Sequence, residues 1–242
     1  MGRVLVVGGS PEYVGALYLA AISALRCGAE SVIVMAPEKI AWTLNRLSPD
    51  LMTRKLKGAF LTASHEKRIG ALLKTADVLL VGNGAGTRPG TATLMQKLMR
   101  WKGAKVVDAD ALKVLRGGAV TNAILTPNEG EWKLLVQRND IKKLLEENVI
   151  IKKGRATKIL SHSRTTTVRA NLGLTKAGSG DVLAGACAGF VASGFGLEAA
   201  AREATTLGNR IANILAKRKK GYYFLASDLL KEIRAVRKAR AA

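Results

Sequence analysis

The stretch NLGLTKAGSGDVLAGACAGF, residues 171–190, decides how the rest of the chain is read. Its glycine-rich turn, Ala177-Gly178-Ser179-Gly180, delivers Asp181 to the start of an apolar helix of small residues. Such a turn points backbone N–H groups at one spot, and the positive end of the helix dipole adds to them, which favours a phosphate. A carboxylate beside a phosphate cradle is electrostatically costly unless it has a task, such as taking a proton from a hydroxyl that attacks phosphorus. A helix N-cap, with Ser179 or Asp181 satisfying orphan amides, accounts for the same residues. G-x-G-D alone does not choose between the two.

Composition narrows the classes. A chain of 242 residues, 48% hydrophobic, suits one α/β domain over 1–242 with a sizeable core. No apolar run is long enough to span a bilayer, and the first residues run straight into a strand pattern rather than a signal peptide. Cys27 and Cys187 fall in small-residue helical patterns far apart, as buried thiols of a cytoplasmic protein rather than a disulfide framework. Two histidines, His65 and His162, leave almost no material for a histidine metal cage or a Ser-His-Asp relay. The formal net charge of +21 admits nucleic acid or anionic substrates, and is densest at 217–220 and 231–240. With aromatics at 5% and no RNA-binding signature, a nucleic-acid function is not expected.

Read outward from the central stretch, strand and helix patterns alternate. Strands are expected at 3–7, 31–35, 59–62, 77–81, 105–107, 123–125 and 149–153. Helices are expected at 13–25, 37–47, 66–74, 91–101, 197–216 and 227–239, with two brief ones within 133–148 and a hairpin over 159–168. That alternation implies a parallel sheet covered on both faces. Polar and glycine motifs follow the strands: Gly8-Gly9-Ser10, Gly82-Asn83-Gly84-Ala85-Gly86, Asp108-Ala109-Asp110 and Thr126-Pro127-Asn128. They should therefore collect along the carboxyl edge of the sheet, where open α/β sheets bind ligands. Of the two aspartates at i and i+2, Asp108 reads as a buried hydrogen-bonding residue and Asp110 as the better polar floor for a site. Ser227 reads as the cap of the last helix.

The run N-x-G-x-T-x-A-G-S-G-D-V-L-A-G resembles the Gly-Thr-Gly-Asp signature of the ribokinase-like superfamily, with serine in place of threonine. Within that superfamily it is most similar to the ADP- or ATP-dependent NAD(P)H-hydrate dehydratases, which restore hydrated nicotinamide cofactors. The resemblance runs from about Leu5 to Ile233 through motifs in the same order. It includes GGSPEYVGALYLAAISALRCGA at 8–29, D-A-D-A-L at 108–112 and K-G-x-x-T at 153–157. There are departures: the family's Gly-Pro-Gly-Leu-Gly is Gly-Asn-Gly-Ala-Gly here, and its Thr-Pro-His is Thr-Pro-Asn.

The resemblance implies a ribokinase-like three-layer α/β/α fold with a central, mostly parallel sheet. It implies that ADP, or ATP in some relatives, phosphorylates the hydroxyl of hydrated NADH or NADPH, after which phosphate is eliminated. Asp181 would take the proton, and the amides of Gly178, Ser179 and Gly180 would hold the phosphoryl group. Lys153, Gly154, Arg155, Ala156 and Thr157 would seat the nucleotide, with charge from Lys153 and a hydroxyl from Thr157. Ala16, Gly86 and Asn128 would face the dinucleotide, joined by Asp110. Glu131 would lie near the Mg²⁺ that accompanies the nucleotide, although capping a helix explains it as well. Relatives are often tetramers, so a homo-oligomer is expected. The residues before Gly8 are too few for an epimerase domain, which is expected on a separate chain. Two alternatives remain. One is a kinase of the same superfamily acting on a vitamin precursor or sugar alcohol, and the other a silent nucleotide- or RNA-binding protein on this fold.

Overall fold

The computed structural model describes residues 1–241, with side chains through Val236. Arg237, Lys238 and Arg240, part of the basic run noted over 231–240, have side chains outside the described residues. From the N-terminus, β1 (Arg3–Val7), α1 (Val14–Arg26), β2 (Ser31–Pro37), α2 (Glu38–Leu47), β3 (Met52–Leu56), α3 (Glu66–Leu73), β4 (Val78–Val81), α4 (Pro89–Met99) and β5 (Ala104–Val107) alternate. They are followed by α5 (Asp110–Val114), β6 (Ala123–Leu125), α6 (Glu129–Arg138), α7 (Ile141–Glu147), β7 (Asn148–Lys152), β8 (Ala156–Leu160) and β9 (Thr165–Arg169). Three helices close the chain: α8 (Ser179–Ala192), α9 (Leu197–Arg218) and α10 (Ala226–Ala241).

Among the described residues nine strands make one sheet, ordered β3-β2-β1-β4-β5-β6-β7-β8-β9. Strands β1 to β7 pair in parallel, and β8 and β9 add an antiparallel hairpin. The strand side chains alternate between two cores. Val4 and Val6 face the core built with α1, α2, α8, α9 and α10, while Leu5 and Val7 face the core built with α3 to α7. This is the expected three-layer sandwich. The strand order reverses between β1 and β4, so the loops after these two strands diverge and open a crevice at the carboxyl edge.

Small residues on α8 bring its N-terminus to that edge. A Cβ at Gly185 would stand 2.0 Å from Ala20 O, and one at Gly189 would stand 2.4 Å from Ala24 O. Only glycine lets α8 lie backbone to backbone on α1, and Ser23 Oγ donates to Val182 O across the contact at 2.7 Å. Cys27 and Cys187 are buried. No helix among the described residues is long and apolar enough to cross a membrane.

Two expected elements are corrected. Residues 59–62 form no strand; Leu61 is buried under α4, and Thr62 opens a 3-10 turn at Ala63–His65 whose capping box His65 completes. The edge strand is instead β3, whose Arg54 and Lys55 hide its pattern. Ser227 is not the cap of α10: the helix begins at Ala226, and Asp228 Oδ2 accepts the Leu225 N–H at 3.0 Å.

Candidate active site

The carboxyl ends of β5 and β7 and the N-terminus of α8 enclose a cavity of ≈ 480 Å³, within the range of small-molecule sites. Its polar end gathers Asp108, Glu131, Lys153 and Asp181, and its far wall is apolar, with Leu174, Leu183, Leu207 and Ile211 from the turn before α8 and from α8 and α9.

Asp108, at the end of β5, is 1% exposed. It accepts from Thr126 Oγ1 at 2.6 Å, from Lys153 Nζ at 3.0 Å and from Asn83 Nδ2 at 3.0 Å. Each donor comes from the loop after a different strand, so Asp108 ties the carboxyl edge together. The sequence reading made Asp108 a buried hydrogen-bonding residue, and that is its place here. Asp110 turns away, accepting the Gly86 N–H at 2.8 Å and pairing with Lys113 at 2.7 Å. Ala109 separates the two carboxylates through a backbone at φ 50, ψ −118, which an alanine rarely adopts. Gly82, at φ +115, is where β4 turns against this segment; a Cβ there would stand 2.0 Å from Asp108 O.

The turn before α8 has the geometry of an anion cradle. Gly178 holds φ 86 in the left-handed region, and the helix starts at Ser179. The Ser179 N–H donates to Lys176 O at 3.2 Å, and its hydroxyl to Leu174 O and Lys176 O. Of the three expected amides, then, Ser179 is committed to the turn, while those of Gly178 and Gly180 have no acceptor among the described residues. Lys153 covers them: a Cβ at Gly180 would stand 3.1 Å from its Nζ. Burial opposes the charge of Lys153, but Asp108, Glu131 and Asp181 outweigh it and hold the ammonium above its ordinary value.

Asp181 stands in the first turn of α8 and accepts from Asn83 Nδ2 at 2.7 Å. Burial first, then the charge of Asp108, push its carboxyl up to about 7, against the Asn83 hydrogen bond and the charge of Lys153. A carboxyl poised there takes and returns a proton near neutrality. Asn83 was noted in the sequence only as a departure from Gly-Pro-Gly; its bridging role was missed.

The remaining expected residues divide. Gly154, Arg155, Thr157 and Asn128 line the cavity with those above; Ala156 does not, and is exposed. Thr157 spends its hydroxyl on Gly154 O at 3.2 Å, closing the β7–β8 turn. Asn128 and Glu131 form a reciprocal capping box at the start of α6, each backbone N–H reaching the other's side chain at 2.9 Å. Burial raises Glu131 above the ordinary carboxylate range. Ala16, Gly86 and Asp110 lie outside the cavity, around the loop after β4, where a Cβ at Gly84 would stand 3.3 Å from Ala16 Cβ. No group of three or more His, Cys, Asp and Glu among the described residues could hold a metal ion.

A family model described as NAD(P)H-hydrate dehydratase matches residues 4–235. The chain is 35% identical to a bifunctional NAD(P)H-hydrate repair enzyme of Pyrobaculum aerophilum, over 96% of this chain and 50% of that protein. It thus spans about half the length of the first curated relatives it matches. It is 34% identical to an ADP-dependent (S)-NAD(P)H-hydrate dehydratase of Nitrosopumilus maritimus, over 98% of this chain and 88% of that one. Among solved structures, a ribokinase-like superfamily protein of Enterococcus faecalis superposes with a TM-score of 0.84 at 22% identity, covering 98% of this chain and 87% of that one. That likeness bears on the fold, which is ribokinase-like. With the model and the Nitrosopumilus relative both matching across nearly its whole length, the chain belongs to the NAD(P)H-hydrate dehydratase family.

Proposed function

We propose that the chain dehydrates hydrated NADH or NADPH at the expense of ADP, or of ATP, restoring the reduced cofactor. The observation that carries this reading is a carboxyl raised to about 7 beside an anion cradle roofed by a lysine. In the proposed reaction Asp181 takes the proton of the substrate hydroxyl as that oxygen attacks the terminal phosphoryl group. The O–P bond to the nucleotide breaks, and AMP leaves when ADP is the donor. The amides of Gly178 and Gly180 and the ammonium of Lys153 face the charge that develops on the phosphoryl oxygens, a contribution of about 10²–10³-fold for one such donor in comparable sites. Phosphate then departs and the ring loses a proton, which restores the dihydropyridine.

The nucleotide base would occupy the apolar end of the cavity, and the dinucleotide would approach from Ala16, Gly86 and Asp110, with Asn128 at the border. Magnesium, when bound, neutralises charge on the nucleotide phosphates. The donor set suits a magnesium ion held largely by phosphates and water. Glu131 lines the cavity, engages one carboxylate oxygen in its cap, and is the side chain that would hold the ion. A homo-oligomer, which the resemblance implies, would be read directly by light scattering.

The test is recovery of 340-nm absorbance from prepared NADH and NADPH hydrate with magnesium and either nucleotide. Recovery by the native protein and about a thousandfold less by Asp181→Ala is expected; equal rates remove Asp181 from the mechanism. One observation favours a second reading. Asn128 stands where the resemblance implies a histidine, and its carbonyl oxygen is spent on the Glu131 N–H, leaving only its NH₂ for a ligand. A pocket altered in this way fits a small-molecule kinase, for which the product is a stable phosphate ester rather than free phosphate.

A further inference from the structure

Asn83 sits at the strand-order reversal, on the loop after β4, and is wholly buried. One N–H of its amide goes to Asp108 Oδ2 at 3.0 Å and the other to Asp181 Oδ1 at 2.7 Å. Its Oδ1 is buried with no partner among the described residues. The amide orientation is dictated by its neighbours, because a carbonyl turned toward two carboxylates would meet like partial charge. The backbone link between the β1 and β4 loops, Gly9 N–H to Asn83 O at 3.0 Å, needs no particular side chain. The unpartnered amide oxygen costs roughly 1–3 kcal/mol, which the two hydrogen bonds to carboxylates offset.

We propose that Asn83 is a positioning residue for Asp181, holding its carboxylate beside that of Asp108 in the orientation that receives the substrate proton. The inference rests on the reading of Asp181 as the proton acceptor. Without the amide, Asp181 faces the charge of Asp108 directly, with Lys153 from the end of β7 opposing it and Asp110 of α5 adding to it. The carboxylate form then becomes harder to reach, and the carboxyl is no longer aimed.

The experiment reads Asp181 without any substrate. Protein carrying ¹³C-labelled aspartate is titrated by NMR, and the Asp181 carboxyl signal is assigned by its loss in Asp181→Asn. In Asn83→Ala, and in Asn83→Leu, which keeps the volume, the Asp181 midpoint is expected to rise by about one pH unit. A midpoint within 0.3 units, by rough NMR tolerance, of the native one in both folded variants overturns the proposal. In the native protein the Asn83 side-chain ¹⁵N signal should titrate with the Asp181 midpoint; an amide signal blind to that titration overturns it too, even if neither variant folds. In the 340-nm assay the acid limb of kcat/KM, which reports the free enzyme, should move with the NMR midpoint while the nucleotide KM stays within about twofold. A loss of kcat with an unmoved limb makes Asn83 merely structural. A native protein that recovers no absorbance, yet whose variants shift the midpoint, overturns the dehydratase reading and supports the role of Asn83.

Discussion

Replacing Asp181 with asparagine keeps the shape of the side chain and removes its charge, and should leave the protein more stable at pH 8 while ending turnover. Burial and the neighbouring Asp108 raise this carboxyl to about 7, whereas in an unfolded chain an aspartate titrates near ~3.9. Between these values the folded protein holds the proton more tightly than the unfolded chain. Native stability therefore falls as pH rises from about 4 to 7, and levels off above it. At about 1.36 kcal/mol per pH unit the full linkage is roughly 4 kcal/mol. That figure already includes the attraction to Lys153; allowing for solvent screening and relaxation around the charge halves it, to an expected gain of about 2 kcal/mol at pH 8. For a chain of this size that is a rise in Tm of about 4–8 °C. Thermal and urea melts of both proteins at pH 5 and pH 8 measure it. At pH 5, about one unit above the unfolded value, only about a third of this linkage has accrued, so the gain should shrink to about a third of that at pH 8. A variant less stable than the native protein at pH 8, or equally stabilised at both pH values, refutes the claim that Asp181 is held against its charge.

Two further perturbations test neighbouring parts of the structure. In Gly180→Ala the new methyl would crowd Lys153 Nζ at 3.1 Å; helix stability should rise by up to about 1 kcal/mol while ADP binding by calorimetry weakens about tenfold, and unchanged affinity rejects the cradle. Lys105 is fully buried, donates to Thr121 O, and is lowered by that burial to about 8, so it sheds its proton in the folded state before the unfolded chain does. Native stability should therefore climb between about pH 8 and 10, and in Lys105→Met that climb should disappear from the pH dependence of the urea midpoint.

The parallel sheet was legible because strands buried on both faces read as apolar runs, such as Val78–Val81 and Asn148–Lys152. The edge was not. Strand β3 exposes Met52 and Arg54 and carries Lys55, so little in its pattern separates it from a loop, whereas Leu61 looks strand-like only because a loop packs it inward. Within the site, Asp181 and the glycines around it were legible from a local turn. Asp108 was legible as a buried hydrogen-bonding residue, but the direction of Asp110 was not, since the backbone at Ala109 aims the two apart and an alanine gives no sign of positive φ. Nor could local pattern find Asn83, whose partners lie 25 and 98 residues away and meet it only because β4 and β5 adjoin and α8 packs over their ends.

Several costly features of this molecule fall together, and that argues for one purpose. A carboxyl held near its neutral form, an amide oxygen without a partner among the described residues and an alanine at positive φ all stand at the ends of β4, β5 and the start of α8. Strained and unpaired groups persist where the surrounding structure over-determines them, and they cluster where chemistry is done. Here the surroundings are two apolar cores that meet on either side of the sheet, and a helix locked to α1 through Gly185 and Gly189. Asn83 then sits between the cavity that would hold the nucleotide and the loops around Ala16 and Gly86 that would hold the dinucleotide. Proton transfer between two bound reactants needs its acceptor at that border. Asp181 is the carboxyl that reaches it from the nucleotide side, through a hydrogen bond to a residue rooted on the other.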